Sequence, residues 1–375
     1  MGSETRILTR GAALRGAVAG VCFFVLLDTG LFRSGLYSSI LEPDSTTGRQ
    51  ENLIWLEKQR QPKSGPRILV AGDSRMSLQM RLANGLIARA GLTAGNLAVP
   101  GTNPRCWYYA LRDVDPTAQR YRAIVLPVDD YDDEDTAEDL ADKMSDLRYL
   151  AVRLRWGDFL DFPLSFRSPM SRWQALRATL FPGVVYADDL QAFLSNPAER
   201  IEKVRQVRTD FPQWADNYLG PTGSLQGLAV DWAARKITFP AGLEVWEQGA
   251  IRDKLLLPPV PQIGRTAEYR RKWFGRILER YRGTGTGILF LRLPRGPIVR
   301  PDNVAKKSST IREFASPPYV LLCNERLFEE LERPELFNDP LHLNATGSER
   351  FTTLLIEEVI RVLREHGLAK PRGQT

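Results

Sequence analysis

Three side chains in this sequence are of the types that together make a hydrolytic centre. Ser74 ends the run Arg67-Ile68-Leu69-Val70-Ala71-Gly72-Asp73-Ser74, and Asp339 and His342 stand three residues apart in Asn338-Asp339-Pro340-Leu341-His342-Leu343-Asn344. The sequence holds two histidines, and the other, His366, lies in a polar tail, 366–375. An alcohol nucleophile is weak at neutral pH and needs a base to take its proton. Histidine suits that task because its pKa lies near working pH. The imidazole in turn needs an acceptor on its other nitrogen, which fixes the tautomer and stabilises the imidazolium. Asp-x-x-His places such a carboxylate locally, at a helix start or tight turn, so Ser74, His342 and Asp339 can fill the three roles if the fold joins the two ends of the chain.

The elements around them predict such a fold. Apolar runs at 66–71, 95–99, 121–128, 287–293 and 319–322 read as buried strands. Helical spacing over 76–90, 104–112, 266–282 and 346–364 alternates with them. Strands alternating with helices imply a parallel sheet, and sites on such sheets form beyond the C-terminal strand ends. Ser74, Gly101 and Asp129 each follow a strand end. Asp73 reads as a cap for the turn after it.

The Gly-Asp-Ser after the first strand and the Asp-Pro-Leu-His-Leu-Asn-x-x-Gly before the last helix together resemble the SGNH (GDSL-type) serine hydrolases. The resemblance spans about 65–132 and 265–365. It implies an α/β fold, a three-layer flavodoxin-like parallel sheet, with Ser74 as nucleophile, His342 as base and Asp339 as its orienting carboxylate. It also implies an oxyanion hole from the backbone N–H of Ser74, the N–H of Gly101 in Asn96-Leu97-Ala98-Val99-Pro100-Gly101-Thr102, and an asparagine side chain after the third strand. At that last position the family shows Gly-x-Asn-Asp, whereas this chain has Pro127-Val128-Asp129-Asp130. A carboxylate cannot donate unless protonated. Three outcomes stay open: a protonated Asp129, a donor such as Asn103 in its place, or a slow site. Arg75, beside the nucleophile, and Asn103 are candidate substrate-binding residues, although Arg75 equally suits a salt bridge to the acidic run that begins at Asp129.

The N-terminus carries a membrane signal. Arg6, Arg10 and Arg15 precede the apolar run 16–27, Asp28 interrupts, and 29–32 resumes before Arg33. The run approaches the ~20 residues that a span needs, and the arginine excess before it favours that end inside. The expectation is an uncleaved signal anchor in 1–33, single-pass, with the catalytic domain extracytoplasmic, rather than a cleaved signal peptide. A polar connector, 34–64, leads to the hydrolase-like domain in 65–132 and 265–365. Between these halves lies 133–264, read as a large, mostly helical insertion.

Composition narrows the function classes. The net charge of +6, from 51 basic and 45 acidic residues, is scattered, so nucleic-acid binding is disfavoured. Cys22, Cys106 and Cys323 have neither zinc spacing nor a disulfide framework, and no metal or cofactor is expected. The lipase elbow Gly-x-Ser-x-Gly is absent. The resemblance points to an esterase or O-acyltransferase acting on acyl, chiefly acetyl, esters of a cell-envelope or exported polysaccharide. Its partners would be an acylated carbohydrate or other ester, the membrane, and, as for some proteins it resembles, a multispanning acyltransferase that delivers the acyl group. The alternative is a non-catalytic scaffold or carbohydrate-binding component of a polysaccharide modification or export complex.

Overall fold

The structure is a computed structural model and describes residues 10–60, 66–128, 140–256, 265–305 and 313–369. The chain divides into two units, one of Met1–Gly48 with Met144–Arg205, the other of Arg49–Lys143 with Gln206–Thr375.

Among the described residues the second unit has seven strands: β1 (Arg67–Gly72), β2 (Thr93–Ala98), β3 (Ala123–Val128), β4 (Ala229–Asp231), β5 (Lys236–Thr238), β6 (Gly287–Arg292) and β7 (Val320–Leu322). Five of them form one sheet in the order β2-β1-β3-β6-β7, every neighbouring pair parallel. Numbered along the chain without the separate β4–β5 hairpin, the order is 2-1-3-4-5, the doubly wound order of flavodoxin-type sheets. Every residue of β1, β3 and β6 is buried. That is why these strands read as unbroken apolar runs rather than as alternations: each is covered on both faces.

On one face, Ile68, Val70, Val125, Leu289 and Leu291 share a core with Ala83 and Ile87 of helix Met80–Ile87 and with Phe351, Leu355 and Val359 of helix Ala345–Glu365. On the other, Phe290 meets Phe274 of helix Arg265–Tyr281 edge-on at 5.2 Å, and Phe274 meets Trp107 of helix Pro104–Val114 at 6.2 Å. At the N-terminal end of the sheet a buried polar cluster ties strand to helix. Glu57 accepts from Arg67 Nε at 2.6 Å and Nη2 at 2.8 Å, and from the Tyr121 hydroxyl at 3.1 Å.

Two expectations are revised. The helix expected over 76–90 is interrupted: Ser74–Met76 is a single 3-10 turn, 77–79 is extended, and the α-helix starts at Met80. The reason lies at Gln79. Its N–H donates to Thr352 Oγ1, and its side-chain amide donates to the carbonyls of Leu219 and Ala345, bonds that hold the segment extended beside helix Ala345–Glu365. The segment 133–264 is also not one inserted body. Its described part divides at Arg205, and the residues beyond pack with the sheet: Leu225, Leu228, Ile251 and Leu255 lie in the sheet core.

The first unit contains helix Arg10–Arg33, of which Gly11–Arg33 is long and apolar enough to cross a membrane, with a mean hydropathy of 1.7. Its last two turns are fastened to the same unit. Asp28 Oδ1 accepts the Gly183 N–H at 2.9 Å, and Arg33 donates to the carbonyls of Leu154 and Thr179. Phe32, Tyr37, Leu41, Ala151 and Tyr186 make a core. Cys106 and Cys323 are buried free thiols, and Cys22 is exposed on the long helix.

Candidate active site

Ser74 follows β1 directly, at the carboxyl edge of the sheet. Asp73 caps the 3-10 turn that carries it, its Oδ1 accepting the Arg75 N–H at 2.9 Å. Gly72 lets the turn close, because a Cβ there would lie 2.4 Å from Met76 Cγ and 3.1 Å from Pro127 Cγ. The loop after β2 is latched to the same strand end. Val99 N–H donates to Gly72 O at 3.0 Å, and the Thr102 hydroxyl lies 3.1 Å from Gly72 O and 2.7 Å from Val99 O while accepting the Trp107 indole N–H at 3.0 Å. Gly101 turns this loop at φ +73°, a conformation that favours glycine. Neither the Ser74 nor the Gly101 backbone N–H donates to any group among the described residues.

His342 comes from the other end of the chain. Residues 338–344 do not open the last helix; they form a tight loop closed by the Phe337–Leu343 bridge and by Asn338 N–H donating to His342 O at 2.8 Å. Asn344 ends the loop and caps helix Ala345–Glu365: its Oδ1 accepts the Gly347 N–H at 3.0 Å, and its Nδ2 donates to Glu335 O at 2.8 Å. Gly347 is required by close approach, since a Cβ there would lie 2.2 Å from Leu336 O. The Asn-x-x-Gly that follows the histidine therefore sets the loop on the helix, and the loop sets the imidazole.

The three side chains meet across 268 residues. Ser74 Oγ lies 2.7 Å from His342 Nε2, and His342 Nδ1 lies 2.8 Å from Asp339 Oδ2 and 3.0 Å from Oδ1. Asp339 Oδ1 also accepts the N–H groups of Leu341 at 2.8 Å and His342 at 2.9 Å. Burial alone would push this carboxyl up, but the imidazole hydrogen bond, the two backbone N–H groups and the imidazole charge outweigh it and hold the pKa below the usual carboxylate value. An ionised Asp339 places the proton on Nδ1, which leaves Nε2 as the acceptor facing Ser74.

Two cavities adjoin this pair. One of about 280 Å³ is lined by Ser74, Gly101, Asn103, Trp107, Phe274, Arg270 and His342. A second of about 260 Å³ lies against Ser74, His342, Asp339, Tyr218, Asn338 and Arg49.

Of the residues expected from sequence, the structure brings Ser74, His342, Asp339, Gly101, Asn103 and Arg75 together around these cavities. Asp129, expected at the third oxyanion position, lies outside the described residues. Arg75 reaches back to Asp73, Nη2 to Oδ2 at 2.5 Å. Asn103 is buried and caps helix Pro104–Val114, its Oδ1 accepting from the Tyr269 hydroxyl at 2.7 Å and from Cys106 N–H at 3.4 Å. Sequence reasoning missed the Thr102–Trp107 latch and the second cavity's Arg49 and Tyr218. The five-residue spacing of Thr102 and Trp107 across a helix N-terminus was the available signal for the first. No local pattern marks Arg49 or Tyr218.

The unit is thus an α/β protein with a Ser–His–Asp constellation at the carboxyl edge of a doubly wound parallel sheet. Comparison with models of known protein families finds no match, and comparison with curated proteins finds none.

Proposed function

We propose that this protein is an SGNH-type serine esterase or O-acyltransferase, acting through Ser74, His342 and Asp339 on acyl esters of a cell-envelope or exported polysaccharide. The observation that carries the reading is the unbroken hydrogen-bonded line from Asp339 through His342 to Ser74, at 2.8 and 2.7 Å. The doubly wound sheet and the two motifs that resemble the SGNH family support it.

In the mechanism, Ser74 Oγ attacks the ester carbonyl while its proton passes to His342 Nε2. Asp339 holds the imidazolium by its Nδ1–H. The tetrahedral oxyanion is received by the N–H groups of Ser74 and Gly101; each such donor is worth roughly a hundredfold or more in rate. The C–O bond to the leaving alcohol breaks as that oxygen takes the proton from Nε2, which leaves an acyl-Ser74. Water or a sugar hydroxyl then attacks, yields its proton to Nε2, and the acyl group departs from Ser74 Oγ, which recovers the proton. Water gives an esterase; the sugar hydroxyl gives a transferase. The helix Gly11–Arg33 would tether this chemistry to a membrane, with the catalytic unit on the extracytoplasmic side.

The test is covalent labelling of the full-length protein in detergent with a fluorophosphonate, wild type beside Ser74→Ala and His342→Ala. Labelling of wild type that is lost in both variants is expected. A folded wild type that takes no label overturns the proposal and favours a non-catalytic scaffold.

A further inference from the structure

Arg49 is a guanidinium whose surroundings answer its charge with rings and no carboxylate. It stands in the first turn of helix Thr46–Gln59, and its head lies over the Trp214 ring at 4.5 Å and 5.8 Å from the centroid of Tyr218. Its Nε is buried without an acceptor, and no hydrogen bond or ion pair reaches the side chain from any described residue. Two other buried arginines of this unit are answered by carboxylates: Arg67 by Glu57, and Arg295 by Glu332 at 2.6 Å. A half-buried cation left in this state is costly, and desolvation lowers the Arg49 pKa, with Tyr218 acting in the opposite sense. A planar guanidinium already stacked on aromatic rings keeps its N–H edge for an incoming anion, which it can meet with two parallel hydrogen bonds.

The position of this group relative to Ser74 gives it a role. Arg49 lines the second cavity, which also touches Ser74, His342 and Asp339 but not Gly101. Gly101, the oxyanion donor, lines the first. An ester carbonyl directed toward Gly101 puts its acyl group in the first cavity. The alcohol oxygen, which must take its proton from His342 Nε2, then points its remainder into the second. Tyr218, Asn338 and Ser348 there offer the ring face and hydroxyl or amide groups that a sugar would use. The one carboxylate lining this cavity among the described residues, Asp339, is committed to the imidazole and two backbone N–H groups.

We infer that Arg49 binds an anionic group, a carboxylate or a phosphate, carried on the alcohol portion of the ester, so that the substrate is an acylated acidic sugar. This inference rests on the serine-hydrolase reading above and adds the charge of its substrate.

The experiment compares kcat/KM of the full-length protein on three acetyl esters that differ in one group: an O-acetyl methyl glucoside, its glucuronoside and its 6-phosphate. Wild type should favour an anionic ester over the neutral one by about 10- to 100-fold, the worth of a charge-assisted hydrogen-bonded pair. Arg49→Gln should lower that ratio to within about threefold, and Arg49→Lys, which keeps the charge without the fork, should lie between. The carboxylate and phosphate arms distinguish the two sources. No anionic preference in wild type, or an equal loss on all three esters in Arg49→Gln, overturns the inference. If the variants do not fold, product inhibition of wild type decides: unacetylated glucuronoside or phosphosugar should compete at roughly tenfold lower concentration than glucoside, and equal or absent competition rejects the idea. Fluorophosphonate labelling of wild type in the same preparation separates the outcomes, because a protein that labels but shows no anionic preference keeps the hydrolase reading and loses only this one.

Discussion

Asp339→Asn isolates what the carboxylate does from where it sits. The two Asp339 oxygens have different partners: Oδ1 accepts the N–H groups of Leu341 and His342 at 2.8 and 2.9 Å, and Oδ2 faces His342 Nδ1 at 2.8 Å. An asparagine in this loop must keep its carbonyl oxygen on the two backbone donors, since turning its NH2 toward them would sacrifice two hydrogen bonds, about 1 kcal/mol each and more if left unsatisfied. Its Nδ2 then falls where Oδ2 was and donates to Nδ1. The imidazole is driven to the tautomer with its proton on Nε2, facing Ser74 with a donor where an acceptor is needed. The loop is preserved and the base is lost. A substitution of this kind costs about 10⁴ in kcat, roughly 5.4 kcal/mol at about 1.36 kcal/mol per tenfold. The assay is turnover of an acetyl ester by full-length protein, with thermal melting alongside. A variant that melts as wild type and retains more than a tenth of its turnover, while Ser74→Ala is inactive, would refute the tautomer argument.

Three further outcomes are expected. Glu57→Gln should destabilise the sheet unit by about 3–5 kcal/mol, because Arg67 is left buried without its counter-charge; each kcal/mol corresponds to roughly 2–4 °C of Tm in a body of this size, and calorimetry that shows no shift would exclude the pair as a structural element. Gly347→Ala should cost about 1–3 kcal/mol through overpacking against Leu336 O and should lower turnover more than fluorophosphonate-free melting alone accounts for, since the displaced loop carries His342; a variant with unchanged kcat would show that the loop relaxes independently of the helix. In acid, the Asp339 charge should persist below the ordinary carboxylate range, because its carboxyl is held below the usual pKa. The depressed folded pKa also fixes the sign for stability: the Asp339 contribution is complete above its unfolded pKa of about 3.9 and declines as pH falls through the folded value, so wild type should lose melting temperature relative to Asp339→Asn at low pH.

Much of the sheet could be read from residue types because its central strands are buried on both faces. Runs such as Ile124–Leu126 and Ile288–Leu291 have no polar face to blur the signal. The Ser74–His342 pairing was legible for a different reason, the resemblance of the Gly-Asp-Ser and Asp-x-x-His motifs to the SGNH family, even 268 positions apart. Failures came where tertiary bonds override local preference. Met76 to Ala90 has helical spacing, yet Gln79 is drawn out of it by bonds to Thr352, Leu219 and Ala345. The division at Arg205 and the stacking of Arg49 on Trp214 depend on contacts between segments some 160 residues apart, and no window of sequence contains them. Asp129, the residue in which the site departs from the pattern it resembles, lies outside the described residues.

The fastening of helix Arg10–Arg33 has a consequence for its fate in the cell and at the bench. A leader that is cut away, or a tether that only holds, can be removed without the folded protein noticing. This helix cannot, because Phe32 is part of the core around Tyr37 and Tyr186, and Asp28 and Arg33 satisfy backbone groups at Gly183, Leu154 and Thr179. Proteolysis before residue 34 would open a hole in the unit that remains and strip those peptide groups of their partners. The segment that looks most like an address label is also a structural member, so a version of the chain trimmed before residue 34 would be a damaged one.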